Sequence, residues 1–582
     1  MRCATSPAFH RPSRSALASV LAAAALAGCG SSASSATSAD PATVIPADAQ
    51  LVADAIVRPS GALRTAALAA GQALSHRADP YLSLLAALET PGSPKLDYGR
   101  EVAGWLGPRA GLFVSSPASA ARVAGLLERA LLGGAQSSSA YPFSGGAEGA
   151  LVLDTRDAAA AGSFLDRQAV RAHASASSYR GVAYESTTAG VAFARVKRFA
   201  VIGSAGAVRA VIDTSLGGAS LAHASGYARL AGTAPSNSLA RLYLAPAAGA
   251  PAAAASGAGA GANTVGLANL LALLAGARST QVSLVPSAHS LTLDADIAGT
   301  PAAGLEADLF AAGAQTAHTL EELPGESWLA LGLSESARDL GSETSALRAL
   351  LALLAGGSGG AGAGVSTTGT LSISSLLDPL LEPLELLGAN TARAHREYSG
   401  WIGPAGVFAS GSGLLELKGA VVIASRDAAR SRSAVATLAR ELSATGAVAS
   451  SALIPGTEAA QTLRLNGLPL SIAIAAGRNQ AGEPRLVIGL GAASVGAALR
   501  PSSTLAQAPS RRAAAAALGE GISPVLILQV PTLLGLLESL GLAEASGLST
   551  LLPYLHALTT ITAGRRDLAG EVRRLRLVAE LQ

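Results

Sequence analysis

The sequence predicts an α+β protein made of two tandem related repeats, each a mostly antiparallel sheet packed with Leu/Ala-rich helices. The phrase Gly-Trp-Leu-Gly-Pro at residues 104–108 returns as Gly-Trp-Ile-Gly-Pro at residues 400–404, and such internal repetition indicates a duplicated unit. Many short apolar runs, with little strict strand–helix alternation, favour antiparallel sheets. The chain of 582 residues also exceeds the size at which a single core keeps growing.

The N-terminus has the pattern of a secretory signal. Arg2, Arg11 and Arg14 precede a short Ala/Leu-rich stretch at residues 15–27. This stretch is too short to span a bilayer as a finished helix and is typical of a signal peptide. We therefore expect a signal peptide over residues 1–28.

The signal ends in Leu-Ala-Gly-Cys at residues 26–29, which resembles the bacterial lipobox. The resemblance implies that Cys29 becomes the first mature residue and carries a thioether-linked diacylglycerol, and two acyl chains suffice for stable anchoring. We expect the protein to be exported and anchored by Cys29 to the outer face of the cytoplasmic membrane. A plain signal peptide with an incidental Cys is the alternative. The Ser/Ala-rich residues 29–43 predict a flexible tether.

Charge and cysteine content exclude several classes of protein. Loss of the three signal arginines leaves 42 − 3 = 39 basic residues against 39 acidic ones, so the mature chain has no net field to attract nucleic acid. Cys3 leaves with the signal and Cys29 is taken up by lipid. The mature protein then has no thiol for disulfides, thiolate catalysis or Cys-ligated metal centres.

The two repeats are predicted to span residues 44–315 and 316–582. Each contains a strand before the Trp phrase, an apolar run after it, a helix start of the form Thr/Ser-Arg-Asp-Ala-Ala, a strand–turn–helix unit and a closing hairpin. At the helix starts, at residues 155–159 and 425–429, we expect Thr155 or Ser425 to be the N-cap and Asp to lie in the first turn. The corresponding segments, first repeat before second, are residues 51–57 and 328–333, 149–153 and 419–423, 199–212 and 486–499, 239–244 and 525–530, and 281–297 and 561–581.

These phrases together resemble the domain of unknown function 3352 family. The Pro-Ala-Asp entry at residues 46–48, the Trp phrase, the Arg-Asp-Ala-Ala helix start and the Val-Ile-Gly turn carry the resemblance. The family comprises bacterial exported or lipid-anchored proteins with no established activity. The resemblance therefore implies an envelope location and supplies no catalytic residues.

No motif predicts a catalytic, cofactor or metal site. Residues 489–494 approach a dinucleotide fingerprint, but Ser494 replaces its third glycine, so a tight strand-to-helix turn is favoured. His318 with Glu321 and Glu322 is the nearest set to a metal cluster, and we interpret it as a solvated helix start or turn. Trp105 and Trp401 are interpreted as core anchors rather than ligand-stacking residues.

Leu-rich helical patterns are the feature with the most functional potential. Leucines recur with helical spacing at residues 267–274, 347–354 and 377–384, and a further pair of helices is expected at residues 532–540 and 548–558. They are predicted to cover a sheet face, with an apolar groove for a hydrophobic ligand as the alternative.

We therefore expect a non-enzymatic envelope binding or scaffold protein. Its expected partners are the membrane, through the lipid on Cys29, and an envelope protein or a hydrophobic ligand. A carrier of a lipid is the first alternative function, and a hydrolase of envelope polymers is the least favoured.

Overall fold

A computed structural model describes residues 38–76, 97–116, 118–120, 143, 147–246, 278–299, 314–333, 387, 397–398, 400–413, 416–444, 446–464, 471–541 and 548–582. Several predicted features lie outside these residues: the signal peptide, Cys29, most of the tether, and the Leu-rich patterns at 267–274, 347–354 and 377–384. Below, residues 38–299 are called the first half and residues 314–582 the second half.

Each half contributes ten of the strands in the described residues. Those of the first half are β1 (Leu51–Ile56), β2 (Leu106–Val114), β3 (Gly149–Thr155), β4 (Ser175–Tyr179), β5 (Val182–Ser186), β6 (Val191–Val196), β7 (Phe199–Ser204), β8 (Ala240–Leu244), β9 (Thr280–Pro286) and β10 (Ser290–Ala298). Those of the second half are β11 (Leu329–Leu333), β12 (Ile402–Ser410), β13 (Lys418–Ser425), β14 (Val448–Ser451), β15 (Thr457–Arg464), β16 (Ser471–Arg478), β17 (Pro484–Leu490), β18 (Ser523–Gln529), β19 (Leu558–Leu568) and β20 (Val572–Leu581).

Helices separate these strands, and among the described residues three helices of each half occupy matching places. The first half has α1 (Gly61–Ser75), α2 (Ala158–Arg171), α3 (Ala205–Ser215) and α4 (Ser225–Ala231). The second half has α5 (Ala314–Glu321), α6 (Ala428–Ala444), α7 (Gly491–Leu499), α8 (Pro509–Leu518), α9 (Val530–Ser539) and α10 (Leu548–Leu555). Helix α5 crosses the repeat boundary that the sequence placed between residues 315 and 316.

All the strands form one antiparallel sheet. In the first half the hydrogen-bonded order is β4-β5-β6-β7-β3-β2-β1-β8-β9-β10. In the second half it is β14-β15-β16-β17-β13-β12-β11-β18-β19-β20, which is the same order. Strands β10 and β20 pair antiparallel and join the halves. The predicted α+β class and antiparallel pairing are confirmed, but the halves share one sheet instead of each closing its own.

Helices cover both faces of the sheet in each half, which explains why central strands such as β13 and β17 are almost continuously apolar. In the second half, one face packs against α6 around Trp401 and Leu438. The other packs against α7 around Phe408 and Val495. The first half is arranged in the same way, with α2 over one face and α3 over the other.

Aspartates cap the two helices that follow β3 and β13. The Asp157 carboxylate accepts from the N–H groups of Ala159 and Ala160 at 3.0 and 2.9 Å, and Asp427 accepts in the same way from the N–H groups of the second and third helical residues. The sequence analysis was wrong to place Thr155 and Ser425 at the caps. A carboxylate directly before the helix can satisfy two exposed N–H groups at once.

Packed structure begins before residue 44, inside the segment predicted to be tether. Asp40 caps a 3-10 turn at Pro41–Thr43 through a hydrogen bond to the Ala42 N–H. Pro41 lies so close to β2 that a Cβ on Gly111 would approach the Pro41 Cβ to 2.7 Å. Glycine at residue 111 therefore lets the turn lie flat on the sheet.

Candidate functional site

The junction of the two halves, called here the seam, is the pairing of β10 with β20. Nine residue pairs run from Ser290↔Glu580 to Ala298↔Val572. Because successive side chains of a strand alternate between faces, Asp294 and Asp296 lie on one face, directly opposite Arg576 and Arg574. The seam therefore carries these four charged residues on one face, and its other face is mainly apolar.

Each seam aspartate is held by a bidentate arginine. Arg574 donates to both carboxylate oxygens of Asp296 at 2.7 Å, and Arg576 donates to those of Asp294 at 2.6 and 2.8 Å. Arg574 Nη1 also lies 3.2 Å from Asp294. The aspartate side chains are at most 1% exposed, so the pairs are shielded from water.

Helix ends from both halves complete this network. The Thr233 carbonyl, just after α4, accepts from Arg574 Nη2, and the Leu518 carbonyl at the end of α8 accepts from Arg576. Burial alone would lower the pKa of Arg574, but the hydrogen bond and charge of Asp296 and the charge of Asp294 raise it above its ordinary value. With both carboxylates occupied by guanidinium groups, the network is suited to joining strands and not to proton transfer.

A third buried carboxylate, besides the two of the seam, belongs to Asp54. Asp54 of β1 accepts from Arg109 of β2 and Arg241 of β8, each at 2.5 Å. Nearby, burial and then the charge of Asp54 raise the pKa of Tyr227 to about 12. This group ties three neighbouring strands together.

Asp154, at the end of β3, is a fourth buried carboxylate. Arg198 donates to its Oδ1 at 2.8 Å, while its Oδ2 has no hydrogen-bond partner in the described part of the chain. Desolvation raises the pKa of Asp154, against the opposing effect of Arg198. The matching position in the second half is Ala424, so this group belongs to one half alone.

The structure brings His318 and Glu322 together, but with a different third residue from the one considered in the sequence. His318 Nε2 lies 3.3 Å from Glu322 Oε1. The third member is Glu483, from the turn between β16 and β17, and ligand atoms of the three lie within 4.8 Å of one another. Glu321 instead pairs with Arg511 at 2.8 Å. Arg485 donates to both Glu322 and Glu483, and its hydrogen bond holds the pKa of Glu483 below the usual value.

An apolar layer covers part of the sheet near the seam. It consists of side chains from α1, α9 and α10 packed on Leu558 of β19 and Leu581 of β20. Leu534 and Leu537 of α9 are buried in it, so this helix covers a sheet face as the first interpretation expected. Helix α1 belongs to the first half, and the layer therefore also links the halves. Among the described helices, none has both the length and the apolar character to cross a bilayer.

Both Trp residues of the repeated phrase are core anchors, which confirms that prediction. Trp105 and Trp401 are each 2% exposed. Their indole N–H groups donate to the carbonyls of Glu101 and Glu397, four residues earlier, at 2.7 and 2.8 Å. Neither ring is open to a ligand.

The glycine-rich turn at residues 489–494 is also structural. A Cβ on Gly489 would lie 3.0 Å from the Ser494 Cβ, and Ser494 Oγ accepts from the N–H of Gly419 on β13. Glycine and serine here allow α7 to pack close to the sheet, as the strand-to-helix interpretation expected.

The sequence analysis missed the seam carboxylates, although a signal existed. Asp294 and Asp296 alternate with apolar residues in β10, and Arg574 and Arg576 alternate with leucines in β20. Alternating charges on two strands predict cross-strand pairs only once the strands are known to be neighbours. Asp296 and Arg574 are 278 positions apart, and nothing in the sequence indicates that their strands are neighbours.

Comparison with known proteins identifies a family but no activity. Two solved structures, titled crystal form I and crystal form III of TP0453, have TM-scores of 0.25 and 0.26 and identities of 10% and 9%. The alignments cover 45% and 46% of this chain and 79% and 84% of those chains. TM-scores this low do not show a shared fold or function. No curated protein matches the sequence. The profile "Protein of unknown function (DUF3352)" matches residues 15–344, more than half of the chain, and the protein therefore belongs to the DUF3352 family.

Proposed function

We propose that this protein is a lipid-anchored scaffold on the outer face of the cytoplasmic membrane, with a non-enzymatic binding role in the envelope. The observation that carries the proposal is the seam, which makes both halves one continuous sheet. Nine residue pairs and buried ion pairs at the seam are suited to hold the two halves at a constant spacing, as a scaffold needs. The carboxylates of Asp54, Asp294 and Asp296 are all held by arginines, which favours structural roles for them.

The anchor is proposed from the lipobox-like residues 26–29. Asp40, which caps the turn Pro41–Thr43, lies eleven residues after Cys29. At about 3.3–3.6 Å per residue, this segment keeps the body within about 40 Å of the lipid. The scaffold would then act close to the membrane surface.

We infer that the two halves derive from one duplicated module. Their identical strand order supports this, as do local details that recur. The register shifts across the end of each Trp phrase, between Leu106 and Ala110 in β2 and between Ile402 and Ala405 in β12. The isolated bridges Pro46↔Ser220 and Pro324↔Thr504 also lie at corresponding places.

The anchor is tested by mass spectrometry of the N-terminal peptide from protein isolated from its native host. We expect a mature N-terminus at Cys29 carrying a diacylglycerol, and we expect a Cys29→Ser variant to leave the membrane fraction. An unmodified Cys29 in wild-type material would refute the anchor.

The scaffold role is tested by complementing a deletion strain. The wild-type gene should reverse the envelope defect that the deletion causes. The Cys29→Ser variant, folded but released from the membrane, should not. His556→Ala should complement fully, because that side chain is 53% exposed and serves no step of a scaffold. A soluble variant that complements as well as the wild type would contradict the proposal.

A lipid carrier is the second proposal, favoured by the apolar layer of α1, α9 and α10. Leu533, Leu540 and Leu552 are only partly buried there, so this layer has apolar surface to offer a ligand. Native mass spectrometry after gentle purification distinguishes the two functions. A lipid that stays bound non-covalently, in addition to the anchor on Cys29, supports the carrier. A chain without such a ligand supports the scaffold.

A further inference from the structure

We propose that His318, Glu322 and Glu483, called here the His–Glu–Glu group, bind one divalent transition-metal ion such as Zn²⁺. The three residues come from two separate segments: the C-terminal end of α5 with the residue that follows it, and the turn between β16 and β17. Their ligand atoms all lie within 4.8 Å of one another. This convergence of an imidazole with two carboxylates is the observation behind the proposal.

The spacing of the three side chains is close to that of ligands around one metal ion. His318 and Glu322 are four residues apart, so both side chains lie on the same side of the chain. Zn–N and Zn–O bonds are about 2.0–2.2 Å long, so ligand atoms around one ion lie at most about 4.4 Å apart. The His318 side chain is 66% exposed. A small rotation of its imidazole would bring the ring nitrogen within bonding distance of an ion held by the two glutamates.

Neighbouring residues orient the two carboxylates. Arg485, only 6% exposed, donates from Nη2 to Glu322 Oε2 and Glu483 Oε2 at 2.7 and 2.5 Å. Asn479 donates to Glu322 Oε1 and to Glu483 Oε2. Glu483 Oε1 accepts no hydrogen bond from the described residues, so it is available as a ligand. Carboxylate ligands of metals are characteristically held by such outer hydrogen bonds.

The charge balance and donor set define the ion. Two glutamates against one arginine leave one net negative charge, which favours a cation. Imidazole nitrogen with carboxylate oxygen suits Zn²⁺ and its first-row neighbours. With three protein ligands at an exposed position, water would complete the coordination.

The test is titration of untagged mature protein with Zn²⁺ in a calorimeter. We expect one ion per chain for the wild type. His318→Ala and Glu483→Gln should each weaken binding about tenfold or more, because each removes one of three ligands. Zn²⁺ should also raise the Tm of the wild type but not of His318→Ala, since the ion would bridge α5 and the β16–β17 turn.

The matched control is His556→Ala. His556 Nε2 lies 3.4 Å from Glu538 Oε1, an exposed His–Glu pair that belongs to no larger metal-ligand group among the described residues. Its removal should leave affinity and stoichiometry unchanged. The proposal is overturned if the wild type shows no saturable binding, if His318→Ala binds as tightly, or if His556→Ala weakens binding equally.

Discussion

At the scale of single residues, burial decides which ion pairs stabilise the protein, and β20 offers a direct comparison. Arg574 is 6% exposed and faces Asp296, whereas its neighbour Arg573 is 32% exposed and faces Asp567, which is 66% exposed. Removing one partner of a buried pair leaves an uncompensated charge, while exposed pairs contribute little. The two arginines should therefore respond very differently to the same substitution.

Arg574→Ala is expected to lower the free energy of unfolding by about 3–5 kcal/mol, because Asp296 is left buried and unpaired. Arg573→Ala should lower it by less than about 1 kcal/mol. Urea denaturation followed by circular dichroism measures both. Equal losses in the two variants would show that the seam network is not shielded from water.

The raised pKa of Tyr227 predicts that the folded protein loses stability at alkaline pH. Its pKa is raised from 10.0 to about 12 in the folded protein, first by burial and then by the charge of Asp54. Below pH 10 both states keep the proton. Between pH 10 and 12 the unfolded state releases it and the folded state does not, so stability falls as pH rises.

The shift of about two pKa units corresponds to about 2–3 kcal/mol. Denaturation of wild type and Tyr227→Phe at pH 9 and pH 11.5 should therefore show a smaller alkaline loss in the variant. The difference between the two proteins isolates Tyr227 from the other tyrosines. Equal alkaline losses of stability in the wild type and in Tyr227→Phe would mean that the Tyr227 phenol ionises at its ordinary pKa.

Residue roles were predictable where the local sequence determines them. Trp105 and Trp401 could be assigned to the core because each stands in a repeated phrase with glycine and proline beside it. Asp157 could be placed at a helix start, but its exact role as the cap depended on backbone geometry. Asp154 gave no pattern at all, since its partner Arg198 reaches it only through the pairing of β3 with β7.

At the scale of elements, the register shift between Leu106 and Ala110, at the first Trp phrase, depends on a glycine. A Cβ on Gly107 would lie 2.5 Å from Asp154 Oδ2 and 2.9 Å from the Asp154 carbonyl carbon. Gly104, in the same phrase, is exposed and has nothing within 4 Å of its Cβ position. The two glycines therefore have different reasons to be there.

Gly107→Ala should destabilise the protein by about 1–3 kcal/mol, because the added methyl group must displace β3 or the buried carboxylate. Gly104→Ala should change stability by no more than about 0.5 kcal/mol. Thermal unfolding of the two variants provides the comparison. A tolerated Gly107→Ala would indicate that β2 can move away from β3 without loss.

Strands and helices were largely predictable because their periodicity is local. The strand-to-helix units at β7–α3 and β17–α7 and the closing hairpins lie close to where the apolar patterns placed them. Strand neighbours were less predictable. The pairing of β1 with β8 joins Asp54 and Arg241, which are 187 positions apart. A local sequence pattern does not indicate which distant strand will be the neighbour.

At the scale of the whole molecule, the charges of the seam make its pairing specific. Strand β10 carries both aspartates and β20 carries both arginines. The two halves have the same strand order, so β10 could otherwise pair with β10, or β20 with β20, of a second chain. Either arrangement would bury like charges opposite one another, which is strongly unfavourable. The asymmetry therefore favours pairing of β10 with β20 over pairing of either strand with a copy of itself.

Cleaving the chain between the halves tests whether the seam and the apolar layer hold them together. With a protease site inserted within residues 300–313, the cut fragments should elute from a sizing column as one complex, because β10–β20 and the packing of α1 against α10 remain. Reversing one side, with Asp294→Arg and Asp296→Arg, should separate the fragments, since four cations would then meet at the seam. Adding Arg574→Asp and Arg576→Asp should restore at least part of the association. If the wild-type fragments separate after cleavage, or if the reversed chain stays together, the seam charges do not determine how the halves combine.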